Sequence, residues 1–464
     1  MRIAGATGGM TPLPGRRASM LTAAENQLLC RVEGEAPMGR LMRRHWVPAL
    51  LSEQLSRPDG APVRVQLFGE KLVAFRDSNG KLGLLGESCP HRKASLAFGR
   101  NEECGLRCLY HGWKFDTEGN VVDMPSEPKG SALPEKAKHL SYPTREAGGL
   151  AWTYMGPPET MPEFEAPPWA PHAEARVAIA KVELPCNWAQ IMEGQIDSAH
   201  SSTLHSSDMR PAKGEAAAKG DHWVRPSTDK NPRIQVQLTN YGMRYAAIRR
   251  PIVNANSHDY VRITTLVAPF TALIPPNSTY NLASVIVPRN DTSSYFHFIA
   301  WAEGDQAGID TDTWRKFCVL AVGEDVDSQF RPIKRNADND YLQDRASMAN
   351  GSFTGIPGIP NQDIAMWESM GAIADRTQER LGASDIAIVQ FRRLMIDAAN
   401  AFQEEGRVIG HIEPRLPQAK LRSYQGVVEK SVPWRTLGAS DDEVKVLSGL
   451  EEDETDKEMA GAAA

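Results

Sequence analysis

Residues 89–113 read "CPHRKASLAFGRNEECGLRCLYHGW". Cys89-x-His91 is followed, after sixteen residues, by Cys108-x-x-His111. Two thiolates and two imidazoles presented by paired loops form a donor set for one tetrahedral zinc ion. They can equally hold a [2Fe–2S] cluster, both cysteines on one iron and both histidines on the other. The spacing favours the cluster. Zinc fingers usually pair Cys with Cys and His with His along the chain, whereas each loop here supplies one of each and can reach across both irons. Cys104 fits no ligand position and reads as a partly buried thiol, as do the isolated Cys30, Cys186 and Cys318. Six cysteines in 464 residues do not resemble a secreted disulfide framework.

The flanking sequence fits a small all-β unit around these loops. "VRVQLFGEKLVAFRDSNGKLGLL" alternates apolar with polar residues and turns at Asn79–Gly80. Residues 20–45 read as one helix, grouped with the β unit as a domain spanning 20–155. A proline-rich linker covers 156–175. Residues 176–435 form a second, mixed domain. In it "RIQVQLTNYGMRYAAIRR" is a hairpin turning near Asn240–Gly242, "YNLASVIVP" and "SYFHFIAWAE" are further strands, and 362–405 is helical. The ends read as a flexible leader, 1–19, and an acidic, disordered tail, 436–464. The fold class is therefore α+β.

Composition narrows the function classes. A net charge of -6 offers no general attraction to nucleic acid or an anionic membrane. No apolar run approaches the roughly 20 residues that cross a bilayer. Arg16–Arg17 lack a following apolar region, so the reading is a cytoplasmic protein, with Met1 or Met20 as the start.

A second constellation, "DSAHSSTLH" at 197–205, puts a carboxylate and two histidines into nine residues. Two histidines and a carboxylate bound facially leave open positions on Fe(II) for dioxygen. Five residues on an ideal helix span roughly 500°, about 140° off-face. His200 and His205 can therefore share a metal only where the helix ends or distorts, and "SSTLHSSD" is suited to an ending. The third ligand must come from elsewhere. "GIPGIPNQDIAMWESMG" offers Asp363 where a loop becomes a helix, with Glu368 as second candidate; a carboxylate in a first helical turn also complements the helix dipole without a metal.

Together "NEECGLRCLYHGWKFD", "NVVDMPSEP", "EGQIDSAHSSTLHSSDM" and "QDIAMWESMGAIADRT" resemble the oxygenase (alpha) components of Rieske non-haem iron ring-hydroxylating oxygenases, most closely the phthalate 4,5-dioxygenase group. The resemblance runs from about residue 20 to 435. It implies a Rieske β domain and a catalytic domain whose antiparallel sheet is covered by helices. It implies cluster ligation by Cys89, His91, Cys108 and His111, and a mononuclear iron on His200, His205 and Asp363. It also implies a homotrimer in which Asp197 bridges an iron-ligating histidine to a Rieske histidine such as His111 across the interface, with Glu193 and Asn187 near the iron. The activity implied is addition of O2 to an aromatic carboxylate, phthalate- or benzoate-like, giving a cis-dihydrodiol. Electrons come from NADH through a separate flavin and ferredoxin-like reductase.

Monooxygenation or O-demethylation of an aromatic acid is the alternative, and an electron carrier or zinc-binding protein the lesser one. A carboxylate substrate needs a guanidinium partner. Arg244 and Arg233 on the hairpin are the candidates, with Arg249, Arg250 and Arg262 nearby; alternation puts Arg244 on one face with Ala246 and Ile248.

Overall fold

The computed structural model describes residues 20–170, 176–212, 224–276, 279–411 and 413–448. The leader at 1–19 lies outside the described residues, as does the tail beyond 448.

Residues 46–154 are built on antiparallel strands with only short helical turns between them, as the alternating pattern predicts. Strands β1 (Trp46–Leu51), β2 (Val63–Leu67), β3 (Glu70–Arg76), β4 (Leu82–Gly86), β5 (Arg100–Glu102), β6 (Gly105–Arg107), β7 (Lys114–Phe115), β8 (Val121–Asp123), β9 (Thr144–Ala147) and β10 (Leu150–Tyr154) form three small antiparallel sheets. Their orders are β1-β10-β9, β2-β3-β4 and β5-β6-β7-β8. Phe75, Leu85, Leu106, Trp113 and Phe115 make a separate small core, and Cys89 and Cys108 are buried in it.

The second half is built on one antiparallel sheet of β11 (Arg176–Leu184), β12 (Arg233–Thr239), β13 (Gly242–Arg249), β14 (His258–Val267), β15 (Thr271–Ile274), β16 (Asn281–Asn290), β17 (Ser293–Ala302) and β18 (Tyr424–Glu429). The order is β11-β17-β16-β15-β14-β13-β12, with β18 paired to the first part of β14. Helices Trp188–Gln195 and Ile359–Ser369 lie against each other. A Cβ on Gly194 would stand 2.1 Å from the Trp367 indole nitrogen, so only glycine permits this approach. The amide of Gln190 then donates to the carbonyls of Trp367 and Gly371, at 2.8 and 2.9 Å.

Three sequence expectations are corrected. Residues 20–45 form two helices, Ala23–Cys30 and Pro37–Met42, because Gly34 takes φ +57° and Pro37 restarts the helix. They pack on the C-terminal half, against Ile386–Glu405. The helical region at 362–405 is likewise two helices, Ile359–Ser369 and Ile386–Glu405. The described part of the bridge, 156–170, has few regular elements, as read, and it is docked: Trp169 is fully buried between Trp152 and Trp301, and the Trp46 indole donates to the Pro162 carbonyl. The acidic tail is ordered through helix Asp441–Ser448, since Glu443 is drawn into the core to accept from the Tyr241 hydroxyl at 2.5 Å. Among the described residues no helix is long and apolar enough to cross a membrane.

Candidate metal centres

The two loops of the first constellation are near copies of each other. The Cys89 N–H donates to the Ala94 carbonyl, and the Cys108 N–H to that of Trp113, both at 2.8 Å. The Cys89 carbonyl accepts from Lys93 N–H and the Cys108 carbonyl from Gly112 N–H. Lys93 and Gly112 both adopt left-handed backbone, φ +63° and +78°. Each turn thus holds its cysteine inward while its histidine projects outward. Burial, with the Cys108 thiol alongside, pushes the Cys89 thiol up to about 11. The His91 and His111 rings lie 4.4 Å apart toward solvent, and His91 stacks on Trp113. Burial, then the charges of His91 and Arg92, hold His111 below the usual imidazole range. Paired thiols inside and paired imidazoles outside suit the asymmetry of a Rieske cluster. Cys104 is a half-buried thiol accepting from the Asn79 amide, apart from this set.

The second constellation closes with a third residue from far along the chain. Helix Trp188–Gln195 ends at Ile196, before either histidine, so the helical angle between them does not apply. Asp197 caps a turn by accepting from Ala199 N–H at 2.8 Å, and the His200 carbonyl then accepts from Thr203 and Leu204. His200 Nε2 and His205 Nε2 are 3.2 Å apart, and Asp363 Oδ1 lies 3.4 and 3.1 Å from them. Ligands about 2.1 Å from a metal and at right angles to each other stand about 3.0 Å apart, so this triangle fits one face of an octahedral ion. Glu368 is turned away and accepts from the Tyr341 hydroxyl.

Two side chains orient the imidazoles. Asp197 Oδ2 lies 3.4 Å from His200 Nδ1. Burial would raise the Asp197 carboxyl, but His200 and the backbone N–H groups outweigh it and hold it below the usual range. Gln362 Oε1 is 2.7 Å from His205 Nδ1. Burial opposes protonation of His205, yet the charge and hydrogen bond of Asp363, with Gln362, hold it above the usual range.

Glu193 and Asn187 are occupied elsewhere, which corrects their expected place beside the iron. Glu193 accepts from Arg376 and from Arg392, each through Nε at 2.8 Å. Asn187 caps its helix at Ala189 N–H and donates to the carbonyls of Cys30 and Asp291.

The substrate arginines are also corrected. Arg244 is fully buried and donates to the carbonyls of Arg435 and Leu437, under the C-terminal segment. Arg233 is largely exposed, 3.5 Å from Asp259. The opposite face of the same hairpin meets the histidine turn. Tyr245 OH meets Ser198 Oγ at 2.9 Å, and Arg249 donates to the Ser198 carbonyl at 2.7 Å. Register places Arg262 across from Ala247, on this face. Arg225, which the sequence reading did not single out, donates to Ser202 Oγ at 2.9 Å.

Arg225, Arg249 and Arg262 are all buried, and no carboxylate forms an ion pair with any of them among the described residues. Among the described residues, Nε of Arg225 and both Nε and Nη1 of Arg249 have no hydrogen-bond partner. Burial, followed by the charges of the neighbouring arginines, lowers Arg225 to about 9 and Arg249 to about 10. Among the described residues the nearest carboxylate acting on them is Asp229, near Arg249, so three buried guanidiniums sharing so little negative charge suit an anion.

The fold and both donor sets define a Rieske non-haem iron oxygenase. The chain matches the Rieske [2Fe-2S] domain family over residues 45–141 and the family described as LigXa C-terminal domain like over 153–457, and it belongs to these oxygenases. It is 58% identical over 421 residues, covering 90% of this chain and 95% of the relative, to the phthalate 4,5-dioxygenase oxygenase subunit of Pseudomonas putida. It is 34% identical to the 3-chlorobenzoate-3,4-dioxygenase oxygenase subunit of Comamonas testosteroni, covering 90% and 98%. Among solved structures, dicamba monooxygenase bound to dicamba shares the fold, with TM-score 0.55 and 18% identity over 79% of this chain and 99% of that one. The protein is thus the oxygenase subunit of a Rieske enzyme, with a [2Fe–2S] cluster and a mononuclear iron as its cofactors.

Proposed function

We propose that this subunit adds both atoms of dioxygen to a phthalate-like aromatic dicarboxylate, giving a cis-dihydrodiol. The observation that carries this reading is the buried group of Arg225, Arg249 and Arg262 beside the histidine turn. Two carboxylates offer acceptors for the N–H groups that Arg225 and Arg249 leave unpaired among the described residues, and charge-assisted pairs in a buried site discriminate strongly against a neutral ring. The 58% identity to a phthalate dioxygenase subunit supports the same substrate class.

Cys89, His91, Cys108 and His111 hold the cluster, and His200, His205 and Asp363 hold the mononuclear iron. When bound, these groups supply single-electron transfer and dioxygen activation. The chain's own residues fix the geometry. The arginines pin the ring by its carboxylates, and the Tyr245–Ser198 pair lines the same face. Asp197 orients His200 and links it to the cluster of a neighbouring subunit in a homotrimer. The exposed Leu109 and Tyr110 beside His111 give that contact an apolar rim. Two electrons from NADH, delivered by a separate flavin and iron–sulfur reductase, and two protons complete the balance; the NADH supply places the system in the cytoplasm.

Equilibrium binding to the reduced enzyme tests the substrate. Phthalate binds more tightly than benzoate, and Arg225→Gln and Arg262→Gln each weaken it by about 10- to 100-fold, the worth of a charged hydrogen bond. Equal affinity for both acids, or no loss in either variant, would sink the dicarboxylate reading.

A further inference from the structure

Gln362 stands next to Asp363 in the chain, yet its side chain serves the other half of the metal site. The side-chain amide nitrogen donates to the Ile356 carbonyl and to Asp208 Oδ2, both at 2.9 Å. A backbone carbonyl can only accept, so the nitrogen must face Ile356 and the oxygen must face His205. The contact at His205 Nδ1 is then an N–H donated to Gln362 Oε1. With Nδ1 so engaged, Nε2, which faces His200 and Asp363, is the nitrogen left to bind a metal. Asp208 closes a ring, because its own N–H donates to the His205 carbonyl at 3.0 Å. Asp208, Gln362 and His205 thereby tie the histidine turn to the helix that carries Asp363.

We infer that Gln362 is a positioning residue that fixes the tautomer and ring orientation of His205, and that Asp208 acts on the metal only through Gln362. The inference rests on the reading of His200, His205 and Asp363 as the iron ligands.

The test uses full-length protein with its cluster intact, stripped of mononuclear metal and titrated anaerobically with Co2+ as a spectroscopic probe. Wild type takes up one Co2+ per chain, and Asp363→Ala abolishes that uptake. Gln362→Leu weakens Co2+ binding by about 10- to 100-fold, the usual effect of removing a partner of a metal-bound histidine, and alters the ligand-field band. Asp208→Leu has a smaller effect, because the Ile356 carbonyl still orients Gln362. Asp208→Leu added to Gln362→Leu costs nothing further. Unchanged visible absorption of the cluster shows that each variant has folded; should Gln362→Leu fail this check, Gln362→Met, which keeps the chain length, replaces it. Wild-type affinity and an unaltered band in the Gln362 variant, or additive losses in the double variant, would overturn the inference while leaving the ligand reading intact. Failure of wild type to bind Co2+ would overturn both.

Discussion

The two metal centres are built on opposite plans. The cluster loops draw all four donors from residues 89–111 and hold them by backbone hydrogen bonds within each turn. The mononuclear site collects donors from positions 200, 205 and 363 and orients the histidines by side chains, Gln362 for His205 and Asp197 for His200. The first is a local motif that the β scaffold displays. The second exists only once two distant segments have packed.

Reciprocal ligand deletion is the largest test of that contrast. Cys108→Ala should remove the cluster and its visible absorption while the other site still binds one metal ion. Asp363→Ala should do the reverse, and both should lower turnover by at least about 10³-fold, since each cofactor is indispensable. Loss of both metals from either variant, by elemental assay, would show that the centres are not independent. Asp197→Asn sharpens the point: both metals should remain bound while steady-state turnover falls by about 100-fold. Normal turnover would remove Asp197 from any role between the centres.

Lys181 on β11 tests the seam between the halves. It is buried, contacts Gln54 near β1, and has Tyr295 and Phe330 around its ammonium; Glu183, Glu53 and Arg289 are the charges nearby. Burial lowers it to about 7, against an unfolded lysine near about 10.4. Between those values the unfolded chain binds the extra proton, so stability rises with pH, by up to about 1.4 kcal/mol per unit, and Lys181→Met should lack that rise. Urea unfolding of both proteins from pH 7 to 10 measures it; parallel profiles would reject the shifted lysine. The smallest effect lies within the cluster loops themselves. Gly112→Ala should cost about 1–2 kcal/mol for left-handed backbone, made worse by a Cβ only 2.6 Å from Pro125 Cγ. Lys93→Gly, at the matching position, should be tolerated, as thermal melts of the cluster absorption would show.

The same contrast explains what could be read from the sequence. The cluster loops needed only spacing, because their geometry is local. Chemistry and resemblance picked out His200, His205 and Asp363, and the fold brings them together, but the exact turn was not read: the helix stops at Ile196, before the ending expected in "SSTLHSSD". The arginines failed on parity. Alternation correctly grouped Arg244 with Ala246 and Ile248, but that face packs beneath Trp434, and it is the Tyr245–Arg249 face that meets the histidine turn. A strand states which residues share a side, not which side meets the ligand. Arg225 follows a stretch with no periodic signal, and Glu443 looked like solvated tail because its partners, Tyr241 and Arg244, lie some 200 residues away.

The close approach of Gly194 to Trp367 bears on how this catalyst ages. An enzyme that handles dioxygen sheds its ferrous ion from time to time through oxidative wear. Here the segments that carry His200, His205 and Asp363 are braced by protein against protein, at Gly194–Trp367 and through the Gln190 amide. The expected consequence is that chelated protein regains turnover on ferrous salt and a reductant alone, which an anaerobic reconstitution assay measures.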